Sequence, residues 1–315
     1  MRALITGVGG FVGSHLAEYL LDEGMTVDGT FRKRWRGRIP ARLKRHVKWN
    51  VLDFSDPVEA FRSLQWLRLE EFDVIYHLAG LSIPSLCGEK TPSVAAWDCN
   101  VEAVRLLLEA VADAPRSPRV VFASSSHVYG PARPGDAPIT EDYPTAPRGG
   151  YGQSKLAAEE ICRQFVERHG LDIVIVRPFP ASGPRQDERL MLGSWCWQLL
   201  TPSNDPIEVL TLDARIDFSD VRDVVRAYRL LALHGSKGET YHIGGGIPRL
   251  SGDVFKLLAQ MADVHREVTQ SRPGCHFDPI ADLSRTTAVT GWQPAIPLET
   301  TLRDTLDWYR RGEVG

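Results

Sequence analysis

A glycine-rich turn near the N-terminus constrains the fold of this chain more than any other feature of its sequence. The segment Thr6-Gly7-Val8-Gly9-Gly10-Phe11-Val12-Gly13 follows a short apolar stretch and opens a helical one. Glycines at this spacing permit a tight turn and let backbone N–H groups approach a pyrophosphate, whose negative charge a helix N-terminus stabilises. The turn therefore predicts a dinucleotide site, with cofactor contacts at Gly7, Gly10, Phe11, Val12 and Gly13. The alternative is a turn that only redirects the chain.

Apolar segments typical of buried strands alternate with helical segments through the first half of the chain. Strands are expected at residues 3–5, 25–30, 47–51, 74–77, 120–124 and 173–177. Helices are expected at residues 11–23, 57–67, 95–112 and 151–169. Near-continuous apolar strands that alternate with helices indicate a parallel sheet covered on both faces. We therefore predict an α/β fold of the Rossmann type, a doubly wound parallel sheet.

The alternation breaks up after residue 177, where several prolines interrupt the chain. It returns for a helical stretch and a strand before the run Gly244-Gly245-Gly246, and the rest is helical with loops. We therefore expect a discontinuous division, with a smaller and mainly helical lobe that binds the substrate. Residues 1–177 and 211–246 are expected to form the dinucleotide-binding domain, and residues 178–210 and 247–315 the substrate lobe.

Composition and charge exclude several classes of protein. The chain has 315 residues, of which 43% are hydrophobic and 24% charged, and its net charge of −3 gives no general reason to bind nucleic acid. No apolar run approaches the roughly 20 residues that span a bilayer, so no membrane contact is expected, and the N-terminus has no signal-peptide pattern. The five cysteines lack ligand spacing, so we expect free thiols, no metal site and a cytoplasmic location.

Tyr151 and Lys155 lie four residues apart in a predicted helix, and a run of three serines at 124–126 precedes them. Residues at this spacing share one face of a helix. A nearby ammonium favours the phenolate form, so we expect a lowered pKa for Tyr151. A phenol tuned in this way exchanges a proton with a sugar or alcohol oxygen, and a serine hydroxyl holds that oxygen in place.

The end of the second strand decides which dinucleotide is bound. Asp28 lies within that strand rather than at its end, where Arg32, Lys33 and Arg34 follow instead. Cations suit the 2′-phosphate of NADP(H), so we favour NADP(H) and keep NAD(H) as the alternative. Part of this basic run is interpreted as a solvated loop or, less favoured, a nucleic-acid patch. The run continues at Arg36, Arg38, Arg42, Lys44, Arg45 and Lys48.

Two further segments are placed where the cofactor is expected to pass. Asp53 follows the third strand and either caps the two residues after it or accepts a hydrogen bond from the adenine amine. The first of those two is Phe54, a phenylalanine rather than a valine, and it is given no contact with the cofactor. Leu78 and Ala79 end the fourth strand and are predicted cofactor contacts. His77 before them is interpreted as a packed strand residue rather than a catalyst.

Several motifs occur together and in a set order along nearly the whole chain. They are TGxxGFxG at 6–13, HLAx at 77–80, SSSxVYG at 124–130, YxxxK at 151–155 and RPF at 177–179, followed by Val221-Arg222-Asp223 and Gly291-Trp292-Gln293-Pro294. With them the chain resembles the extended short-chain dehydrogenase/reductase (NAD-dependent epimerase/dehydratase) family, in the branch that acts on nucleotide-activated sugars. Within this branch it is most similar to the GDP-4-keto-6-deoxy-D-mannose reductases.

The resemblance implies a catalytic role for three residues. Tyr151 is the general acid/base, and Lys155 binds the nicotinamide ribose and lowers the pKa of the tyrosine. Ser125 hydrogen-bonds the reacting oxygen, and Ser124 and Ser126 are its register alternatives.

The resemblance also implies a set of substrate contacts, namely Ser126, His127, Arg215 and Arg272. His127 stands where the family dehydratases carry a glutamate base, which disfavours elimination of water. Pro180 replaces a usual asparagine, and Arg215 is displaced by one position from the usual arginine. Trp195 and Trp197 form either an aromatic wall for the substrate or packing within the smaller lobe.

The function that the resemblance implies is the NADP(H)-dependent reduction of a nucleotide-linked 4-keto-6-deoxy sugar. A nucleotide-sugar epimerase that retains NAD is the first alternative, and a non-catalytic NADP-binding redox sensor is another. Family dimers pair the helices predicted at 95–112 and 151–169, so a homodimer is expected. A helical stripe faces either that partner or the sheet, and it consists of Val101, Val104, Leu108 and Val111.

Overall fold

The computed structural model describes residues 1–32, 40–133 and 135–312 of the chain. Its strands, in chain order, are β1 (Arg2–Thr6), β2 (Thr26–Phe31), β3 (Val47–Val51), β4 (Val74–His77), β5 (Arg119–Ala123), β6 (Ile173–Pro178), β7 (Ala181–Ser182), β8 (Ile207–Val209), β9 (Ala214–Asp217), β10 (Ser219–Asp220), β11 (Thr240–Ile243), β12 (Pro248–Leu250), β13 (Val268–Gln270) and β14 (His276–Phe277). Its α-helices are α1 (Phe11–Asp22), α2 (Ala41–His46), α3 (Pro57–Trp66), α4 (Val94–Trp97), α5 (Ala103–Ala112), α6 (Gly149–His169), α7 (Met191–Leu200), α8 (Val221–His234), α9 (Ser251–Ala262), α10 (Ser284–Thr290) and α11 (Leu298–Arg310).

A sheet of seven parallel strands forms the centre of the molecule, in the order β3-β2-β1-β4-β5-β6-β11. The chain starts in the middle, extends the sheet to one side through β2 and β3, and then crosses to β4 on the other side. At such a switch point a crevice opens outside the carboxyl ends of the strands, and ligands bind there. The sheet confirms the predicted Rossmann-type fold, and every strand predicted within the first 177 residues lies within one residue of its observed bounds.

Helices cover both faces of the sheet. On one face α1 and α8 pack on strand residues such as Ile5 and Val27. On the other face α3, α5 and α6 pack on residues such as Leu4 and Ile75. Because successive strand residues point to opposite faces, the neighbours Leu4 and Ile5 enter different cores. Each fully buried side chain of this size contributes about 1.5–3 kcal/mol to stability.

The apolar stripe on the helix that follows β4 belongs to the second of these cores. Val101, Val104, Leu108 and Val111 are each no more than 2% exposed, and the last three pack with the sheet residues of this core. The interpretation in which this stripe faces a partner subunit is therefore wrong, because the side chains are already buried within one chain.

The helix expected at residues 95–112 is interrupted. α4 ends at Trp97, the segment Asp98–Glu102 forms a π-helical turn, and α5 begins at Ala103. Turns of this kind insert an extra residue into the helix and often occur at functional sites. Here the turn carries a buried polar side chain, Asn100, that the apolar periodicity does not reveal.

The smaller lobe combines helices with short strands. α7, α9 and α11 pack around a separate apolar cluster, bordered by the pair β8-β13 and the three-stranded sheet β12-β9-β14. Trp195 is 3% exposed and its ring meets Phe255 edge to face at 5.3 Å, so it packs the lobe. Trp197 is 46% exposed, and the two tryptophans therefore do not share one wall.

The chain passes between the two lobes more often than the sequence suggests. β9 packs in the apolar cluster of the smaller lobe, whereas Trp292, far towards the C-terminus, is buried against the large sheet. We propose a finer division in which β9 belongs to the smaller lobe and the segment 284–292 to the larger one. None of the described helices has the length and apolar composition needed to cross a bilayer.

Candidate active site

The glycine turn connects β1 to α1 at the crevice. Gly7 has φ +73°, and a Cβ atom there would lie 3.0 Å from the Cα of Ala79. A Cβ atom on Gly13 would collide with the carbonyl oxygen of Gly7. Gly10 caps α1 without a side-chain hydrogen bond, and the first helical turn holds no acidic residue. The turn thus presents backbone N–H groups and a positive helix end to a narrow space, which fits a pyrophosphate.

Thr6 and Gly7 connect the ends of β1, β2 and β4 around this turn. Its hydroxyl accepts a hydrogen bond from the Ala79 amide at 3.1 Å and lies 2.9 Å from Nδ1 of His77. The Gly7 amide donates to the Thr30 hydroxyl of β2 at 3.3 Å. His77 is 1% exposed and burial lowers its pKa to about 3, so the ring is neutral. His77 is therefore a packed strand residue, as predicted.

The acidic residue of β2 is buried and is already paired with an arginine. Asp28 is 1% exposed, and the Arg2 guanidinium binds both of its oxygens at 3.0 Å. Arg32, just past the end of β2, is exposed. The other cations of the predicted phosphate fork, Lys33 and Arg34, lie outside the described residues, as do Arg36 and Arg38.

Asp53 caps the turn that follows β3. Its Oδ1 accepts hydrogen bonds from the Ser55 amide at 3.1 Å and from the Ser55 hydroxyl at 2.6 Å. The capping interpretation is therefore confirmed, and the adenine contact stays a prediction.

Phe54, between these two residues, belongs to the apolar core. Its side chain is 5% exposed and packs in the same cluster as Leu4 and Ile75. Its ring meets that of His77 edge to face, with 5.5 Å between the ring centroids. Position 54 therefore carries a phenylalanine rather than a valine, and its side chain is packed in the core.

The three serines after β5 point in different directions. Ser124 is 3% exposed and donates its hydroxyl hydrogen bond to the buried Glu159. Ser125 caps the short 3₁₀ helix Ser126–Val128, and its hydroxyl lies near enough to the Tyr151 phenol to act on the pKa of that group. Ser126 is buried within that turn. Of the register alternatives, Ser125 is the serine that meets the tyrosine.

His127 lies beside the same pair. Its Nδ1 atom is 3.2 Å from Oγ of Ser125, and its backbone N–H donates to the same oxygen at 3.2 Å. Its ring packs edge to face with that of Tyr151, with 5.4 Å between the ring centroids. His127 is an exposed residue, although loss of hydration at the imidazole lowers its pKa.

The pKa values of the tyrosine and the lysine follow from burial. Burial raises the pKa of Tyr151 to about 12, although the Ser125 hydroxyl acts to lower it. The Lys155 ammonium donates to the Ala123 carbonyl at 2.8 Å, and burial lowers its pKa to about 8. The expected lowering of the Tyr151 pKa is therefore wrong for the protein chain alone, because loss of hydration outweighs the attraction of any nearby cation.

The residues after β4 lie between the glycine turn and the Lys155 ammonium. Ala79 contacts Gly7, and a Cβ atom on Gly80 would lie 3.5 Å from Nζ of Lys155. The predicted cofactor contacts Leu78 and Ala79 are half-buried in this stretch. The structure thus brings the glycine turn, the lysine and the Ser125–Tyr151 pair to one crevice.

Asn100 holds the loop that lines this crevice, and sequence reasoning missed it. Its side-chain oxygen accepts from the Leu81 amide at 2.8 Å, and its amide donates to the Leu81 carbonyl and the Ser154 hydroxyl, both at 3.0 Å. Ser154 in turn donates to the Tyr151 carbonyl at 2.8 Å. The signal in the sequence was a lone amide within an apolar helical stretch.

A second buried network supports the active-site helix from behind. Arg177 binds both oxygens of Glu159 at 2.8 and 2.7 Å, and donates to the hydroxyl of Tyr129. That hydroxyl lies 2.7 Å from Nε2 of His242. Burial acts to raise the pKa of Glu159, but the bonds from Arg177 and Ser124 outweigh it and lower the pKa. Tyr129 of the VYG motif and Arg177 of the RPF motif therefore contact each other, and both have a structural role behind the active-site helix.

The predicted substrate arginines lie apart. Arg215, with Arg249, Cys275 and Phe277, lines a cavity of about 340 Å³ in the smaller lobe. Arg272 is exposed and does not belong to the described lining of that cavity. Asp278 follows Phe277 and faces His127 closely enough that each influences the other's pKa. The cavity therefore lies next to the crevice through β14.

All five cysteines carry free thiols. Within residues 1–32, 40–133 and 135–312, no cluster of three or more His, Cys, Asp or Glu side chains is suited to hold a metal ion.

Comparison with known proteins extends these observations. The chain is 29% identical over 322 residues to the GDP-6-deoxy-D-mannose reductase of Pseudomonas aeruginosa, covering 98% of each chain. Its structure superposes with a TM-score of 0.81 on RMD from Pseudomonas aeruginosa complexed with NADPH, at 29% identity and over 98% and 99% of the two chains. It superposes with a TM-score of 0.86 on the UDP-glucose 4-epimerase of Thermus thermophilus in complex with NAD, at 25% identity and over 98% and 99%.

The profile of one protein family matches residues 3–244, which include the glycine turn, the serine run and the Tyr151–Lys155 pair. This match confirms the resemblance carried by the motifs. The chain belongs to the NAD dependent epimerase/dehydratase family.

Proposed function

We propose that this protein is an NADP(H)-dependent reductase of a nucleotide-linked 4-keto-6-deoxy sugar. The observation that carries the proposal is the pairing of the Tyr151 phenol, whose pKa is about 12, with the Ser125 hydroxyl at the crevice. A phenol that keeps its proton at neutral pH is a donor for an oxygen that gains negative charge. The similarity to a GDP-6-deoxy-D-mannose reductase over 98% of the chain supports the substrate class.

The reaction needs one acid and one orienting donor from the protein. When bound, the nicotinamide supplies a hydride to the carbonyl carbon. Tyr151 gives its proton to the carbonyl oxygen while Ser125 holds that oxygen by a hydrogen bond. Lys155, charged below pH 8, adds positive charge beside the developing oxyanion. His127, which carries no carboxylate, leaves the site without the glutamate base of elimination.

The cofactor is held by residues at the carboxyl ends of β1 to β4. The backbone of Gly7, Gly10, Phe11, Val12 and Gly13 receives the pyrophosphate, and Leu78 and Ala79 pack beside the dinucleotide. Lys155 and Tyr151 bind the nicotinamide ribose, and Asp53 accepts from the adenine amine. The exposed cation Arg32 favours NADP(H) over NAD(H), because Asp28 is already bound by Arg2 and cannot hold the ribose hydroxyls.

The substrate extends from the crevice towards the smaller lobe. Ser126 and His127 border the sugar, and Arg215 in the lobe cavity receives the diphosphate. Arg272 is a further diphosphate contact in this proposal, from an exposed position that must approach the site.

Turnover of a defined substrate tests the proposal. Purified protein mixed with NADPH and GDP-4-keto-6-deoxy-D-mannose is expected to consume NADPH, with NADH a poorer donor. Tyr151→Phe is expected to lower kcat by roughly 10²- to 10⁴-fold, the usual contribution of a general acid. The matched control is Tyr19→Phe on α1, which packs against the apolar core and should keep full activity. Failure to turn over any keto-sugar nucleotide would contradict the substrate claim.

The second candidate is a nucleotide-sugar epimerase that retains its NAD. It is favoured by the superposition on the Thermus thermophilus UDP-glucose 4-epimerase, solved with NAD. The same Ser125, Tyr151 and Lys155 serve both reactions. Tightly bound NAD after purification would support the epimerase, whereas cofactor-free protein with a preference for NADPH would support the reductase.

We also propose a homodimer. With the stripe of Val101, Val104, Leu108 and Val111 buried, a groove of about 330 Å³ remains between α3, α5 and α6, bordered by Leu106, Phe165 and the 52% exposed Phe61. Size-exclusion chromatography with light scattering decides between a monomer and a dimer.

A further inference from the structure

We propose that Asp217 is a positioning residue for the substrate, because its buried carboxylate sets the spacing of the three strands that line the cavity at Arg215. The inference rests on the proposed function, in which Arg215, on the lining of that cavity, receives the diphosphate. Asp217 is the last residue of β9, the central strand of the sheet β12-β9-β14, and its side chain is fully buried. Its two carboxylate oxygens accept hydrogen bonds from backbone amides of two other segments.

The three amide donors lie beside the two strands that flank β9. Oδ1 of Asp217 accepts from the Gly245 amide. Oδ2 accepts from the Gly246 amide at 3.2 Å and from the Ala281 amide at 2.9 Å. Gly245 and Gly246 lie shortly before β12, and Ala281 lies shortly after β14. One carboxylate therefore ties β9 to the ends of both neighbouring strands.

The same three strands supply the lining of the cavity. Arg215 belongs to β9, Arg249 to β12 and Phe277 to β14, and all three line it. In the sheet, Arg215 lies opposite Leu250 on one side and Phe277 on the other. Because Arg215 and Asp217 are two residues apart on one strand, their side chains leave the sheet on the same face. A displacement of β9 at Asp217 therefore moves the Arg215 guanidinium relative to the rest of the lining.

The run of three glycines before β12 lets the carboxylate come this close to the backbone. A Cβ atom on Gly244 would lie 3.1 Å from both carboxylate oxygens of Asp217. A Cβ atom on Gly245 would collide with the carbonyl oxygen of Phe218. Gly246 has φ +68°, a left-handed conformation that favours glycine. The glycine run, to which the proposed function assigns no role, is therefore the backbone partner of Asp217.

Burial makes the ionised carboxylate costly to the folded state. Loss of hydration raises the pKa of Asp217 to about 6, although the three amides and the charge of Arg249 act to lower it. Because this value lies above the ordinary 3.8, the group destabilises the fold increasingly as the pH rises from about 4 to about 6. A carboxylate that folding disfavours, yet that joins three strands, is typical of a functional position. Further titratable side chains on the neighbouring elements are His242 on β11, His276 on β14, and Asp278 and Asp282 beyond that strand.

The first test needs no substrate. Nitrogen-15 NMR follows the backbone amides of Gly245, Gly246 and Ala281 in wild type as the pH is varied. All three donate to one carboxylate, so we expect their resonances to shift together with one midpoint near pH 6, and the shift to be absent in Asp217→Asn. Different midpoints for the three amides, or a shift that persists in the variant, would overturn the arrangement. The wild-type titration decides this point even where the variant fails to fold.

The second test separates substrate binding from the chemical step. Asp217→Asn replaces one carboxylate oxygen by an NH₂ group, which accepts no hydrogen bond, so at least one of the flanking strands is released. We expect KM for the sugar nucleotide to rise at least about tenfold, while kcat and the Kd for NADPH stay within about twofold of wild type. Urea unfolding should show the variant gaining stability relative to wild type as the pH rises from about 4 to about 6.

The matched control is Asp253→Asn, which removes the same charge from an exposed position on α9 and should behave as wild type. A purely structural role for Asp217 predicts a different result, in which kcat, KM and NADPH affinity all worsen together. If KM is unchanged in Asp217→Asn, or kcat falls as much as KM rises, the positioning role is wrong. If wild type itself reduces no keto-sugar nucleotide, the proposed function fails, and the amide titration still decides whether Asp217 joins the three strands.

Discussion

Lys155 is buried in surroundings that disfavour the charged form of its side chain. The side chain is 5% exposed, its ammonium donates to one carbonyl, and its Nζ lies 5.3 Å from the centre of the Phe122 ring. Burial lowers its pKa from 10.5 to about 8, which corresponds to about 3 kcal/mol of free energy. The free energy of unfolding is therefore smaller than it would be with an apolar side chain, and polar groups of a bound cofactor would recover part of the difference.

The first prediction concerns Lys155→Met. Below pH 8 the folded and the unfolded chains both hold the proton, so the full cost of burying the charge is present. Between pH 8 and about 10.5 only the unfolded chain holds it, and wild-type stability rises with pH. We expect the variant to be about 1–3 kcal/mol more stable at pH 7, less than the full cost because the bond to Ala123 is lost, and to lose this advantage near pH 10.5.

Urea unfolding at pH 7 and pH 10 measures the difference. The control is the exposed Lys256→Met, which should stay within about 0.5 kcal/mol of wild type at both values. A Lys155→Met protein that is less stable than wild type at both pH values would show that burial of the ammonium does not lower the free energy of unfolding.

Glu159 illustrates what a single sequence does not reveal at this scale. The side chain is fully buried, on the same helix as Tyr151 and Lys155, and it binds Arg177 and Ser124. These two partners lie 18 and 35 positions away, and only its third partner, Arg163, is four residues along the same helix. No local spacing therefore connects Glu159 to Arg177 or Ser124. Tyr151, Lys155 and Ser125 were found because they form compact motifs, whereas Glu159 and Asn100 act through contacts that exist only after folding.

At the scale of elements, α1 and the glycine turn act as one unit. Gly10 caps the start of the helix without a side-chain hydrogen bond, and Gly24, two residues after its last residue Asp22, has φ +73°. A Cβ atom at Gly24 meets no atom within 4 Å, whereas one at Gly13 collides with the turn itself. The two ends of one helix therefore carry glycines for different reasons, one for close packing and one for backbone conformation.

The second prediction uses these two glycines. Gly13→Ala should push the turn away from the helix and weaken NADPH binding by at least about tenfold, because the backbone N–H groups no longer converge on the pyrophosphate. Gly24→Ala should cost about 1 kcal/mol of stability through its positive φ but leave NADPH affinity unchanged. Calorimetric titration of both variants with NADPH decides. Equal affinities in the two variants would contradict the assignment of the turn.

Helices and strands with a clear hydrophobic pattern could be predicted from the sequence, whereas the shortest strands could not. The strands of the central sheet follow from runs such as Ile173–Pro178, buried on both faces. The short strands β9, β12 and β14 hold two to four residues each, and their pairing places residues 214–217 beside residues 248–250 and 276–277. Such pairing depends on the tertiary fold rather than on local pattern, so the sequence did not indicate it.

At the scale of the whole molecule, the segments 221–223 and 291–296, far apart in sequence, connect the two lobes by hydrogen bonds. Asp223 on α8 accepts hydrogen bonds from the amides of Ala295 and Ile296, and its carbonyl accepts one from the Trp292 indole at 3.0 Å. Trp292 is fully buried in the core of the large lobe, just before α11 of the smaller one. Because the chain crosses between the lobes in this way, neither lobe is an independent folding unit, and we expect one cooperative unfolding transition.

The last prediction follows from this anchoring. Trp292→Phe should lower the free energy of unfolding by about 2–3 kcal/mol, because it removes a buried hydrogen bond and leaves a cavity against α8. The transition should stay single, since the loss weakens both lobes together. Trp197→Phe is the matched control: that side chain is 46% exposed, so we expect a change within about 0.5 kcal/mol. Urea unfolding followed by far-UV circular dichroism measures both variants without relying on tryptophan fluorescence. Equal losses in the two variants, or two separate transitions in wild type, would show that the lobes fold independently of this contact.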